Sequence, residues 1–167
     1  MSRLLGSETV DIPVIADADT GYGNAINVIR TVHEYEAAGV GAIHLEDQVM
    51  PKKCGHMDGK QLVAAAEMTA KVEAAVASRR SPDFLIIART DARAVEGLES
   101  ALRRARLYRE AGADALFVEA PQSEAEIEAV ARAFPDVPLL FNYAEDGKTP
   151  AVTHEFLREL ERRFAEG

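Results

Sequence analysis

A parallel β-sheet covered by α-helices is the predicted fold class, and three observations carry it. Five short apolar runs alternate with five segments of helical periodicity, the pattern of βα units laid side by side. The chain also echoes itself. Ala38-Gly39-Val40-Gly41-Ala42-Ile43-His44-Leu45-Glu46 matches Ala111-Gly112-Ala113-Asp114-Ala115-Leu116-Phe117-Val118-Glu119, 73 residues later, and Ile15-Ala16-Asp17-Ala18-Asp19 parallels Ile87-Ala88-Arg89-Thr90-Asp91 after 72. Finally, each apolar run ends on a polar or charged residue. Alternation alone leaves a closed barrel and an open doubly wound sheet both standing; the repeat favours the rotationally regular barrel. At 167 residues, the chain suits a single domain, 1–167.

In chain order, residues 1–11 are a weakly specified lead-in, too short and polar at Met1–Ser7 to read as a signal peptide. Ile12-Pro13-Val14-Ile15-Ala16 reads as the start of a buried strand. Asp17–Asn24 is turn-rich, and a helix runs from Ala25 to Ala38, stopped by Gly39. The second unit has a strand at 42–46, a long loop at 47–59 and a helix from about Lys60 to Ser78, broken by Arg79-Arg80-Ser81-Pro82-Asp83. The third has a strand at 84–89, a turn at Thr90-Asp91-Ala92 and a helix near 97–111. A strand at 115–119 leads to a helix at 124–133, whose N-cap is Ser123, with Glu126 completing a capping box. A fifth strand at 138–142, a polar loop at 143–151 and a charged helix near 153–165 follow.

Bulk composition excludes several functions. No apolar run approaches the roughly 18 residues of a membrane span. With 19 Lys+Arg against 28 Asp+Glu the net charge is -9, so the mean field repels nucleic acid and anionic membranes. One cysteine makes no internal disulfide, and a reducing cytoplasm is expected.

In a parallel sheet of this kind functional groups gather at the carboxyl ends of the strands. Those ends are Asp17, Asp19, Glu46, Arg89, Glu119 and Asn142, five of them ionisable, which points to one polar site. Asp17 and Asp19 are two apart on extended chain, so both carboxylates can point the same way. With Glu46 they make a set of hard oxygen donors suited to Mg²⁺, with Mn²⁺ as the common substitute; two aspartates opening a turn are the plainer alternative. Gly21-Tyr22-Gly23 is no dinucleotide fingerprint, because a third glycine would fall at Ile26 and two aspartates precede the turn. His44 reads as a satisfied interior histidine, and His33 and His154 have no motif around them. In the loop after Glu46, Lys52-Lys53-Cys54-Gly55-His56 sets a thiol beside cations, which stabilises its thiolate and suits it to proton transfer near neutral pH. An ordinary solvated loop is again the alternative.

Taken together, Asp17-Ala18-Asp19-Thr20-Gly21-Tyr22-Gly23, Leu45-Glu46-Asp47-Gln48, Lys52-Lys53-Cys54-Gly55-His56 and Ala88-Arg89-Thr90-Asp91 resemble the isocitrate lyase/phosphoenolpyruvate mutase superfamily, in order and spacing, from about residue 12 to 150. The Lys-Lys-Cys-Gly-His element resembles its carbon–carbon lyase branch, the isocitrate, 2-methylisocitrate and 2,3-dimethylmalate lyases. The resemblance implies a (β/α)₈ TIM barrel with Mg²⁺ at its C-terminal mouth, of which about five βα units, family strands three to seven, are represented. It implies a metal site of Asp17, Asp19 and Glu46. Catalytic roles fall to Cys54, Arg89, His56 and Glu119, and substrate contacts to Arg89, Gly55, His56 and Asn142. The implied reaction is retro-aldol cleavage of a 2-hydroxy di- or tricarboxylate into a 2-oxo acid and a second carboxylate. The alternatives are an oxaloacetate decarboxylase, a phosphonate enzyme of the same superfamily, or an inactive truncated remnant acting by self-association. The expected partner is a small carboxylate, with a homo-oligomer possible and neither nucleic acid nor membrane involved.

Overall fold

The computed structural model describes residues 12–55, 57–145 and 147–164. Its core is a parallel sheet of four strands, β1 (Ile15–Asp17), β2 (Ala42–Glu46), β3 (Leu85–Thr90) and β4 (Ala115–Val118), hydrogen-bonded in sequence order. Consecutive order with helical crossovers is barrel geometry; the sheet here is an open arc of it. The helices are α1 (Ala25–Ala37), α2 (Ala65–Ser78), α3 (Ala92–Glu96), α4 (Leu98–Glu110), α5 (Glu124–Ala133) and α6 (His154–Phe164).

Alternation along the strands assigns the two faces of the sheet. Ala18, Ile43, Leu45, Ile86, Ala88, Leu116 and Val118 face the helices and pack with Val28, Val32, Met68, Val72, Ala105 and Tyr108 in the main core. The opposite face carries Ala42, Ile87, Ala115 and Phe117, a smaller apolar cluster backed by Leu140. Above that cluster, toward the strand ends, the same face turns ionisable. This layering is what positions the site.

Several expected elements differ. The fifth strand, 138–142, is reduced to one parallel bridge, Leu116 to Leu139; Leu116 N–H donates to Pro138 O at 3.0 Å and Leu140 N–H to Leu116 O at 2.9 Å. Its apolar residues mainly face α5 and α6 rather than extending a ladder. The first strand begins at Ile15 rather than Ile12 and is not buried. It is an edge, with Ile15 53% exposed. The second helix starts at Ala65, not Lys60, because the chain before it pairs back on the loop: Val49 N–H donates to Gln61 O and Val63 N–H to Asp47 O. The expected turn at 90–92 opens instead into the short α3, which Gly97 separates from α4.

Helix starts follow local chemistry. Asn24 caps α1 reciprocally with Asn27, an amide version of the capping box. Ser123 Oγ accepts Glu126 N–H as expected, but the Glu126 carboxylate takes Gln122 N–H and a bidentate Arg93 instead of the cap amide. This fork ties α5 to α3.

The fork with Arg93 holds the Glu126 carboxyl below its ordinary 4.5, as Arg104 and Ser100 do for Glu96. Depressed carboxyl pKa values stabilise the fold fully above the unfolded value and lose that contribution as pH falls through the folded one. The thermal midpoint is expected to drop as pH is lowered below 4.5, and less steeply in Glu126→Gln, as followed by circular dichroism.

Candidate active site

Asp17 ends β1 and Asp19 follows in a left-handed turn, φ +51°, a conformation Asp tolerates better than most residues. Asp19 N–H donates to Asp17 Oδ1 at 2.8 Å, which turns both side chains to one side. Gly21, at φ +82°, completes the turn, and a Cβ there would lie 2.4 Å from Val28 Cγ2. Strained backbone at strand ends recurs at Ala120, φ +54°, directly after Glu119.

The three acids expected at the metal site converge on one point, and the side chain at that point is Lys52. Its Nζ lies 2.6 Å from Asp19 Oδ1, 3.0 Å from Asp17 Oδ2 and 3.5 Å from Glu46 Oε2. Burial pushes Asp17 up, but the Asp19 amide and Lys52 outweigh it and leave its carboxyl below the usual value. Burial likewise opposes the Lys52 ammonium, and its hydrogen bonds to Asp19 and Asp17 more than restore it. Glu46 is fully buried, and desolvation raises its carboxyl to about 7 against the pull of Arg89. Gln48 Nε2 donates to Glu46 Oε1 at 2.9 Å.

Register places Arg89 beside Glu46. Its guanidinium forks onto Asp91, Nε to Oδ2 at 2.9 Å and Nη2 to Oδ1 at 3.2 Å, reaches Glu119 Oε2 at 3.2 Å and stacks 5.1 Å from the Phe117 ring centre. On the other side of Asp91, Lys60 Nζ donates to Oδ1 at 2.9 Å and also to the Gly55 carbonyl. Gly55 itself presses on Glu119: a Cβ at 55 would lie 2.4 Å from the Glu119 carboxyl carbon. The cysteine loop is therefore fastened to the strand ends through Lys52, through Lys60 and through the bare Gly55 backbone. Gln48 adds a fourth tie, accepting Lys53 N–H at 3.0 Å and donating to Lys53 O at 2.9 Å.

Cys54 lies exposed on this loop. His56 falls outside the described residues. Asn142 is exposed, and among the described residues no side-chain hydrogen bond draws it to the cluster. His44 is not the satisfied interior residue its strand suggested: among the described residues its Nδ1 makes no hydrogen bond, it lies 3.7 Å from Asp17 Oδ1, and its ring meets Phe117 edge-on. Burial lowers its pKa against the pull of Asp17.

Lys52, Lys60, Asp47, Gln48 and Asp91, all part of this network, were not among the expected site residues. Asp47 accepts from Thr90 Oγ1, Asp91 N–H and Tyr108 OH at 2.7, 2.9 and 2.8 Å, with Arg104 at 3.5 Å, and so locks the β2 and β3 ends together. The available signal was the polar triplet Glu46-Asp47-Gln48, too long a polar step for a strand merely leaving a core.

The family model described as phosphoenolpyruvate phosphomutase matches residues 6–161. The chain belongs to this family. Among curated relatives, it is 53% identical to 2,3-dimethylmalate lyase of Eubacterium barkeri over 92% of this chain and 53% of that protein. It is 56% identical to 2-methylisocitrate lyase of Aeropyrum pernix over 92% and 49%. The chain thus spans about half the length of the curated relatives it matches. A crystal structure of 2,3-dimethylmalate lyase, a PEP mutase/isocitrate lyase superfamily member, superposes with a TM-score of 0.91 at 40% identity, covering 96% of this chain and 54% of that one. Phosphonopyruvate hydrolase, solved with oxalate and Mg²⁺, gives 0.72 at 44% identity over 83% and 48%. The four-stranded, unclosed arc thus superposes on part of TIM-barrel-type structures of this superfamily, the fold class the resemblance implied.

Among the described residues no three acidic, histidine or cysteine side chains form a ready coordination shell unaided. What Asp17, Asp19 and Glu46 share is a single cation, and they hold it with oxygen atoms alone. That donor set fits Mg²⁺ or Mn²⁺.

Asp91 compensates two buried cations at once, so Asp91→Ala leaves Lys60 and Arg89 facing each other. A loss of about 3–5 kcal/mol is expected in urea unfolding. Asp58→Ala, which breaks only the exposed pair with Lys148, is expected to leave the midpoint unchanged.

Proposed function

We propose that this chain carries the core of the active site of a Mg²⁺-dependent carbon–carbon lyase. Its substrate is a 2-hydroxy di- or tricarboxylate of the 2-methylisocitrate or 2,3-dimethylmalate type, split into a 2-oxo acid and a second carboxylate. The observation that supports this most is the fastening of a cysteine-bearing loop across converging strand-end carboxylates and Arg89. Similarity of about half the residues to lyases of these two names supports the substrate class.

Asp17, Asp19 and Glu46 would hold the metal. Bound there, Mg²⁺ would lower the pKa of a coordinated hydroxyl and offset charge on neighbouring oxygens. The chain's own residues supply the rest. Arg89, preset by its fork onto Asp91 and its stacking on Phe117, binds a substrate carboxylate and stabilises the negative charge that develops as the bond breaks. The substrate hydroxyl gives up its proton to the Glu119 carboxylate beside Arg89, its oxygen forms the new carbonyl, and the electron pair of the broken carbon–carbon bond stays on the carbon next to the departing carboxylate. Cys54 delivers a proton to that carbon. Gly55 and Lys60 hold the loop down and keep water from quenching the carbanion.

The thiol distinguishes this reading from a decarboxylase or a phosphonate enzyme of the same family, for which Lys52-Lys53-Cys54 has no evident use. Release of 2-oxo acid from 2-methylisocitrate and 2,3-dimethylmalate, with Mg²⁺ and with chelator, tests it. Cleavage of one of them is expected to need Mg²⁺, and Cys54→Ala is expected to lower kcat about 10²–10⁴-fold without weakening metal binding. Full activity in Cys54→Ala, or metal-independent cleavage, contradicts the assignment.

A further inference from the structure

Lys52 stands out because, among the described residues, it is the one loop side chain that reaches all three metal-site acids. Its Nζ–oxygen distances of 2.6, 3.0 and 3.5 Å place a unit positive charge at their common focus. A divalent cation held by the same oxygens would need the same focus. Two cations cannot share that point, since their repulsion at such separation is large even in a well-screened site. Lys52 has a flexible four-carbon stem and is partly exposed, so it has somewhere to go. Its backbone lies two residues before Cys54.

We propose that Lys52 and the divalent cation are alternative occupants of one site, which makes Lys52 a positioning residue that ties the cysteine loop to the acids until metal replaces it. The proposal rests on the metal reading above. In the metal-free protein the ammonium neutralises part of the charge of three crowded carboxylates and draws Pro51–Cys54 toward the strand ends. Metal binding takes over the neutralisation and releases Lys52, leaving Gln48, Lys60 and the Gly55 backbone among the loop's remaining ties. Loading the site and setting the freedom of the thiol are then one event.

Two readouts test this without turnover. Mn²⁺ affinity is measured by calorimetry for the wild type, Lys52→Met and Lys52→Arg, each checked for folding by circular dichroism. Lys52→Met is expected to bind Mn²⁺ about tenfold or more tightly, because no internal cation must leave, while Lys52→Arg stays near the wild type. Alkylation of Cys54, the only cysteine of the chain, is followed in parallel with iodoacetamide. Mn²⁺ is expected to accelerate it in the wild type, and Lys52→Met to react at the faster rate with or without metal. Equal or weaker Mn²⁺ binding by Lys52→Met overturns the competition, and alkylation indifferent to Mn²⁺ in the wild type overturns the coupling to the loop. If no variant binds Mn²⁺, the metal reading fails and the proposal with it.

Discussion

Burying carboxylates is the constraint on which this architecture turns. Glu46, Asp47, Asp91 and Glu119 are all within 1% of full burial at the ends of the strands. Each such ion costs several kcal/mol to remove from water unless a partner offsets it. The chain meets that demand with four cations drawn from three segments: Lys52 and Lys60 from the connection between β2 and α2, Arg89 from β3 and Arg104 from α4. Compensation therefore does structural work. It fastens the loop, joins β2 to β3 and anchors α4 beneath them.

The same demand sorts the acids by role. Asp47 is saturated by donors and faces the helices, so it supports the scaffold. Asp17 and Asp19 remain partly exposed, and the partner they share with Glu46 is a mobile one, an ammonium on a long side chain. A scaffold acid is held by groups that cannot leave, whereas these three converge on one that can. Arg89 lies between the two classes, oriented rigidly by Asp91 yet directed toward Glu46 and Glu119.

Much of this was legible in the sequence. Asp17, Asp19, Glu46, Arg89 and Glu119 announced themselves because an apolar run ending on charge has few structural explanations, and all five do come together. Four of five strands and the helices α1, α4, α5 and α6 were readable from periodicity. What misled was local pattern without its neighbours. Pro138–Asn142 is as apolar as a strand, yet only Leu139 bridges to β4, and Asn142 is left exposed outside the cluster. Lys60 looked like the first residue of a helix, whereas its ammonium is needed at Asp91 some thirty positions away, and the chain stays extended to deliver it. Nor can a sequence say which of two adjacent acids, Glu46 or Asp47, faces the site, because that depends on strand phase and on Tyr108 and Arg104 arriving from α4.

The claim beneath all of this is that the strand-end acids and Arg89 form one assembled site for a divalent cation and a small dicarboxylate. Thermal unfolding with Mg²⁺ and oxalate, each alone and together, in the wild type and in Asp17→Ala, tests it most directly. The account predicts a rise in midpoint that needs both ligands to be full and is absent in the variant, since only a folded site binds them. A wild-type midpoint unmoved by the pair, or a rise of equal size in Asp17→Ala, would contradict it.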